Sequence, residues 1–262
     1  MKKFFLLISI LISHNVFSLE LAKYPIELKS NDGINAIIAP TADNKQALVK
    51  VTGINHNIDD VVFLTELKPH GSNKAYKYTY DGSQRALINV ADGYRCCSYT
   101  LYIPNTRQSI YLTKNEKTNP VIVEDLLAQY QQQLNAGVQA KLAAFDREKH
   151  LDMQKQTIEK ASNEILTQCD TKVITNVNWS AISDADLNKY AVGAFCSQVV
   201  KEMAYQCESN SDFKAQAAKF TTVNCEFNDE LKLRANHESL EFKTSPQAPN
   251  QREFIRSYLL NL

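Results

Sequence analysis

Between residues 19 and 119, short apolar runs recur at roughly ten-residue spacing, each stopped by a residue that turns the chain. Ile34-Asn35-Ala36-Ile37-Ile38 stops at Pro40, Ala47-Leu48-Val49-Lys50-Val51 at Gly53, and Val61-Val62-Phe63-Leu64 ahead of Pro69-His70-Gly71. Tyr76-Lys77-Tyr78-Thr79-Tyr80 gives way to Asp81-Gly82, and Ala86-Leu87-Ile88-Asn89-Val90 to Asp92-Gly93. Residues 97–103 stop at Pro104, and residues 109–113 complete the series. Several runs alternate apolar and polar positions, as strands do when one face is buried. Seven or eight strands at this spacing suit a sandwich or a barrel. The expectation is an all-β, sandwich-like domain over residues 19–119.

The period changes at Pro120. From Val123 to Cys169 there is no proline and one glycine, and the content is rich in Gln, Leu, Ala, Glu and Lys, which are helix formers. At ~100° per residue, Leu127, Tyr130, Leu134, Val138, Leu142 and Phe145 share one stripe, and Leu151, Ile158, Ala161, Ile165 and Cys169 share another. The stripes are roughly 200° apart, so the two halves of one straight helix would bury different faces. The first stripe is expected to meet the β domain and the second a downstream domain. Asp146-Arg147-Glu148-Lys149-His150 lies between them with no helix breaker, so a single long connecting helix is expected over residues 120–168. Two antiparallel helices joined by a tight turn are the alternative.

Downstream of Cys169, residues 172–177 read as β-like. Ser183-Asp184-Ala185-Asp186 opens a helix with a capping hydroxyl and acids in its first turn. That helix carries Leu187, Tyr190, Ala191, Ala194, Phe195, Val199, Met203 and Cys207. A short helix from Ser211-Asp212, strands at 222–227 and 231–242 and a terminal helix at 252–262 complete the chain. The fold class is α+β in two domains, the second spanning residues 169–262 and stapled by disulfides.

The staples follow from the cysteine count. Six are present, Cys96, Cys97, Cys169, Cys196, Cys207 and Cys225, with no C-x-x-C pair, so neither a zinc ribbon nor a thioredoxin-type motif is available. On one helix Cys196 and Cys207 would stand ~16 Å apart, beyond the ~7 Å Cα reach of a disulfide. Each must bond outside its own helix. Cys169–Cys196 with Cys207–Cys225 is the leading pairing, and Cys169–Cys207 with Cys196–Cys225 the other. Cys96 and Cys97 form a possible vicinal pair; free buried thiols and cross-domain or intermolecular bonds are the alternatives.

Compartment enters with the first residues. Met1-Lys2-Lys3, an apolar run from Phe4 to Ile12 and a polar break at Ser13-His14-Asn15 read as a cleavable signal peptide, residues 1–18, cut after Ser18. The run is shorter than the ~18 apolar residues of a spanning helix, and no other segment qualifies, so no membrane span is expected in the mature chain. The expected location is the periplasm or the exterior of a bacterial cell. Cleavage removes Lys2 and Lys3 from the 29 basic side chains and none of the 29 acidic ones, leaving a formal net charge of −2. That balance provides no footprint for nucleic acid, and 44% hydrophobic content suffices for a packed core.

Chemistry is sparse. Beyond residue 18 the histidines are His56, His70, His150 and His237. His237-Glu238 lacks the second histidine of H-E-x-x-H, and there is no G-x-S-x-G elbow, phosphate loop or dinucleotide fingerprint. His70 reads as an exposed loop residue and His150 as part of a solvated helix face. Asn178-Trp179-Ser180 matches a glycosylation sequon, while Trp179 itself reads as a core or lid residue. Tyr76, Tyr78 and Tyr80 share one strand face, which would pack a core or, alternatively, bind sugar or protein. No catalytic, cofactor-binding or metal-ligating residue and no cofactor is assigned. The function expected is non-catalytic: binding an unknown protein partner in the cell envelope or outside the cell, or serving as a secretion accessory. The alternatives are an envelope hydrolase assembled around His237 with Glu238 or Asp229, and an inhibitor or immunity protein for an exported toxin.

Overall fold

The apolar runs of the first part of the chain form strands that neighbour one another in chain order: β1 (Ile26–Lys29), β2 (Asn35–Pro40), β3 (Gln46–Thr52), β4 (Val62–His70), β5 (Asn73–Tyr80), β6 (Ser83–Ala91), β7 (Ser98–Tyr102) and β8 (Ser109–Lys114). β1 then pairs antiparallel with β8, Leu28 opposite Lys114 and Lys29 opposite Thr113, and the sheet closes into a barrel. The expected sandwich-like domain is thus corrected to an eight-stranded antiparallel barrel. Strand alternation is the same in both architectures, since each buries one face. What separates them is the pairing of the first strand with the last, which no local pattern reports. Closure also leaves no unpaired sheet edge.

The computed structural model describes residues 19–93, 97–116 and 118–262. Two compact units divide the chain: residues up to Tyr80 with Gln84–Ala143, and Asp81–Ser83 with Ala144–Leu262. The expected leader and Cys96 lie outside the described residues, and with them the cleavage site and the vicinal pair.

In the first unit, side chains fill the barrel. Ile38 faces Val49, Val49 faces Phe63 and Leu67 faces Tyr76 across neighbouring strands. Tyr76, Tyr78 and Tyr80 are buried among them, with the Phe63 and Tyr78 rings 4.6 Å apart. The tyrosine stripe is therefore core. Outside the barrel, α1 (Val121–Asn135) lays Val123, Leu126, Leu127 and Tyr130 on Ala39, Leu48, Val62 and Leu64. Val138 and Leu142 of α2 (Val138–Ala143) pack on the barrel core. The glutamines of this stretch bond the barrel's backbone. Gln133 accepts from Val62 N–H at 2.9 Å and donates to the Asp60 carbonyl at 2.9 Å, and Gln139 donates to the Val62 carbonyl at 2.7 Å. A backbone segment at the start of β4 thus finds partners it would otherwise lack.

The single long helix is likewise corrected. α1 ends at Ala136-Gly137, where Gly137 takes φ +70° and its N–H bonds the Leu134 carbonyl at 3.0 Å, a left-handed stop that glycine adopts without steric cost. α3 (Arg147–Cys169) starts afresh, capped by Asp146, whose carboxylate accepts from Lys149 N–H at 3.1 Å. Phe145 shares the phase of the first stripe, but it packs on the second unit's core with Leu151, Ile158, Ala161 and Ile165.

That second core lies between helices and a four-stranded sheet. The elements are α3, β9 (Ile174–Val177), α4 (Asp184–Lys189), α5 (Val192–Cys196), α6 (Gln198–Ser209), α7 (Phe213–Ala217), β10 (Thr222–Phe227), β11 (Lys232–Asn236), β12 (Ser239–Thr244) and α8 (Gln251–Leu260). Strand order is β11-β12-β10-β9, with β10 parallel to β9 and β12 and a β11–β12 hairpin at one edge. The one helix expected from Ser183 to Cys207 is three. Ser183 caps α4 through Asp186 N–H, and a two-residue break at Tyr190-Ala191 and a single residue, Ser197, separate α4, α5 and α6.

Two disulfides join this unit, Cys169–Cys207 with Cα atoms 5.3 Å apart and Cys196–Cys225 at 5.5 Å. The leading pairing is replaced by its alternative, because the breaks send α5 and α6 to different neighbours. The far end of α6 meets the last turn of α3, where Cys169 Sγ also lies 3.5 Å from the Met203 carbonyl, while Cys196 ends α5 against the inner face of β10. α5 sits close to α3: Gly193 donates its N–H to Gln154 Oε1 at 2.8 Å, and a Cβ at Gly193 would meet the Gln154 carbonyl oxygen, with Gln154 Cα 3.1 Å away.

Two outcomes are expected. Gly193→Ala lowers stability by about 1–3 kcal/mol through overpacking against backbone, read as a shift of the urea midpoint with unchanged slope. Non-reducing peptide mapping yields Cys169–Cys207 and Cys196–Cys225 peptides, and Cys196→Ser with Cys225→Ser costs about 3–4 kcal/mol. A Cys169–Cys196 peptide would contradict the packing described.

Candidate binding surface

Alternation along β10 and β12 decides which side chains line the surface. Val223 and Cys225, Leu240 and Phe242 point into the core, so Thr222, Asn224 and Glu226, Ser239, Glu241 and Lys243 lie on the opposite face. Register aligns them across strands: Asn176 of β9 beside Asn224, Asn224 beside Glu241, and Glu241 opposite Arg234 of β11. The result is a polar row running across all four strands.

Its members are joined. Asn176 Nδ2 donates to Asn224 Oδ1 at 3.1 Å, Asn224 Nδ2 donates to Glu241 Oε1 at 2.8 Å, and Ser239 Oγ donates to the same oxygen at 3.0 Å. Donors running one way toward a carboxylate polarise each other and hold the row in one geometry. Beside it, Lys243 Nζ lies 3.0 Å from Glu226 Oε2 and 3.6 Å from Glu230 Oε2. The Lys243 ammonium, helped by Asn228, holds the Glu226 carboxyl below the usual carboxylate range. A shallow depression of about 340 Å³ follows the row, with Asn176, Asn178, Asn224, Glu226, Glu241 and Lys243 around it. Its charges are mixed, and its groups sit on strands backed by a disulfide-stapled core.

The residues singled out from sequence lie elsewhere. His237 is exposed at positive φ in the β11–β12 turn, with Glu238 and Asp229 also exposed, so this trio forms no cleft. His56 accepts from Ile58 N–H and lies beside Tyr80. His70 ends β4, exposed, its ring 6.3 Å from that of Tyr102. Trp179 is half-buried on the second core, and Ser180 donates to Asn178 Oδ1 at 2.7 Å within the sequon. Cys97 is half-buried against the barrel core. Among the described residues, no group of three or more His, Cys, Asp or Glu is placed to hold a metal ion, and no helix is long and apolar enough to cross a membrane. Sequence reasoning passed over Asn176, Asn224, Glu241 and Arg234. The polar alternation of β10 and β12 was the available signal, but the parallel neighbours that align them are not local. The chain matches no known protein-family model, no curated protein and no solved structure.

One further polar cluster is buried in the second unit. His150, expected on a solvated helix face, is 8% exposed and stacks on Phe145 with ring centroids 4.5 Å apart. Its Nε2 lies 3.0 Å from Asp81 Oδ2, which also accepts from Lys149 Nζ at 2.8 Å, while Asp81 Oδ1 accepts from Asp146 N–H at 3.0 Å. Asp81 and Gly82 both take positive φ, and a Cβ at Gly82 would come within 2.9 Å of Phe145 Cβ, so the sequence Asp-Gly is required there. Both carboxylate oxygens are engaged, which makes the cluster a structural clip.

Burial alone would raise the Asp81 carboxyl; the bonds from Asp146, Lys149 and His150 outweigh it and bring it to about 2. A carboxyl depressed when folded contributes stability above its unfolded value near 4 and loses it as pH falls toward 2. The wild type should therefore lose about 2 kcal/mol between pH 5 and pH 2 that Asp81→Asn does not lose, measured as unfolding free energy across that window. Parallel pH profiles of the two proteins would refute the clip.

Proposed function

We propose that this is an exported, non-catalytic protein that recognises a protein partner through the open face of its four-stranded sheet. The observation that carries the reading is the in-register row Asn176, Asn224, Glu241 and Arg234, bonded along its length from Asn176 to Glu241. Polar groups already held by one another on strands lose little freedom on binding, so their hydrogen bonds and charges are available for recognition. Arg234, Lys232 and Lys243 alternate with Glu226, Glu230 and Glu241 around the row. This mixed pattern suits a polypeptide surface of complementary charges and not a uniformly anionic polymer.

Two disulfides fit an oxidising compartment. Together with the leader-like residues 1–18, they support export to the periplasm or beyond. His237, Glu238 and Asp229 are all exposed, which supports binding over a hydrolase built on those residues. Inhibition of an exported toxin is one form that binding by this face could take.

Site-specific photocrosslinking in the native cell tests the reading. A crosslinker placed at Asn176 or Arg234 should capture one discrete partner, whereas one at Lys160, on the exposed face of α3, should not. Asn224→Ala with Glu241→Ala should weaken capture from the remaining positions about tenfold or more, as loss of a central polar anchor does. Equal capture from Lys160 and from the sheet face would overturn it.

A further inference from the structure

The barrel unit holds a second, unrelated cavity. The end of β4, the start of β6 and the loop from β7 to β8 border an open pocket of about 310 Å³ lined by His70, Arg85, Ala86, Tyr102, Ile103, Pro104, Asn105 and Thr106. A volume of this size is at the lower end of small-molecule sites. The loop is pinned rather than slack: Asn105 takes φ +60°, and Thr106 donates both its N–H and its hydroxyl to the Ile103 carbonyl.

Arg85 is the feature that needs an explanation. Among the described residues no carboxylate lies within 4 Å of its guanidinium, although eleven ion pairs form elsewhere. Its Nε is buried and has no hydrogen-bond partner among the described residues, and the hydroxyl of Tyr78, 4% exposed, is likewise without one among them. Arg85 stands close enough to that phenol for its charge to oppose the rise that burial causes. A buried donor without an acceptor forfeits its hydration, at a cost that folded proteins accept rarely and usually with a ligand or water in attendance. Here the unsatisfied donor belongs to a cation, and the cation lines a cavity.

We infer that this cavity is a binding site for a small carboxylate with an apolar body, the carboxylate taken by Arg85. The guanidinium fork matches the two oxygens of a carboxylate. One arginine in the lining balances a single negative charge. Tyr102, Ile103, Pro104 and Ala86 provide apolar walls for the rest of the molecule, a lining that a fully hydrated inorganic anion would not use. The site shares no residue with the sheet face and does not depend on the function proposed for it.

Benzoate, benzamide and inorganic phosphate are the probes, titrated into the isotope-labelled full chain and followed by amide chemical shifts. Benzoate should move the amides of Ala86, Ile103, Asn105 and Thr106 saturably. Benzamide, of nearly the same shape without the charge, should bind at least about tenfold more weakly, and phosphate more weakly than benzoate. Arg85→Gln should lose benzoate by about the same factor while keeping the spectrum of a folded protein. Should that variant fail to fold, the comparison of benzoate with benzamide on the wild type still decides. Equal binding of the two, tighter binding of phosphate, or benzoate shifts confined to other parts of the chain would each overturn the assignment.

Discussion

The Cys196–Cys225 bridge is the constraint on which the candidate binding surface depends. A strand can present either set of alternate residues to its core, and a one-residue slip would exchange the two faces completely. Covalent attachment of Cys225 to the end of α5 makes that slip impossible for β10. With Cys225 held inward, Asn224 and Glu226 must face outward, and the parallel ladders to β9 and β12 carry the same phase to Asn176 and Glu241. The second bridge serves the layer behind. By tying the last turn of α3 to the end of α6, Cys169–Cys207 fixes two helices of the core that supports the sheet. The staples therefore specify orientation as well as adding stability.

Much of the element list was legible in the sequence, because each element's signal is local. Seven strand runs and the change of period at Pro120 follow from alternation, helix-forming composition and turn residues, whereas β1, four residues long, was not among the runs. Long-range pairings were not legible. Barrel closure rests on Leu28 opposite Lys114 and Lys29 opposite Thr113, and nothing in either strand names the other. Helix continuity was misjudged for a different reason. Gly137 and Asp146 were both visible, yet a glycine in a helix is often tolerated and an aspartate is not itself a breaker. What ends α1 and starts α3 is the pair of hydrogen bonds that these residues make, Gly137 N–H to the Leu134 carbonyl and Asp146 accepting from Lys149.

The same distinction explains the sites. Sequence attention goes to residues with rare chemistry, so the four histidines, His237 among them, were weighed, while the asparagines on strands were passed over. The glutamine-rich stretch drew notice as a rigid connector, but Gln133 and Gln139 are occupied with Asp60 and Val62. Their polarity serves the fold. Among the described residues, the bonds of Asn176, Asn224 and Glu241 run among side chains on an open face and reach no backbone group. Side chain–side chain bonds are the minority class in folded proteins, and a cross-strand chain of them is costly in rotamer entropy unless something else uses the order it imposes.

That entropy argument also separates the two candidate sites. On the sheet face, ordering has already been achieved by bonds within the protein, so a partner meets a preorganised surface and must compete with none of the core's interactions. In the barrel pocket the situation is reversed: among the described residues, Arg85 Nε carries desolvation with no bond to offset it. An occupant able to engage Arg85 would recover hydrogen bonding that the folded chain leaves unmade, and discrimination would come from charge more than from shape. A site with unmade bonds rejects a neutral analogue more sharply than a surface whose bonds are complete, because the analogue leaves the same donor unsatisfied. The sheet face is suited to partners of broad complementary contour, and the cavity to one functional group.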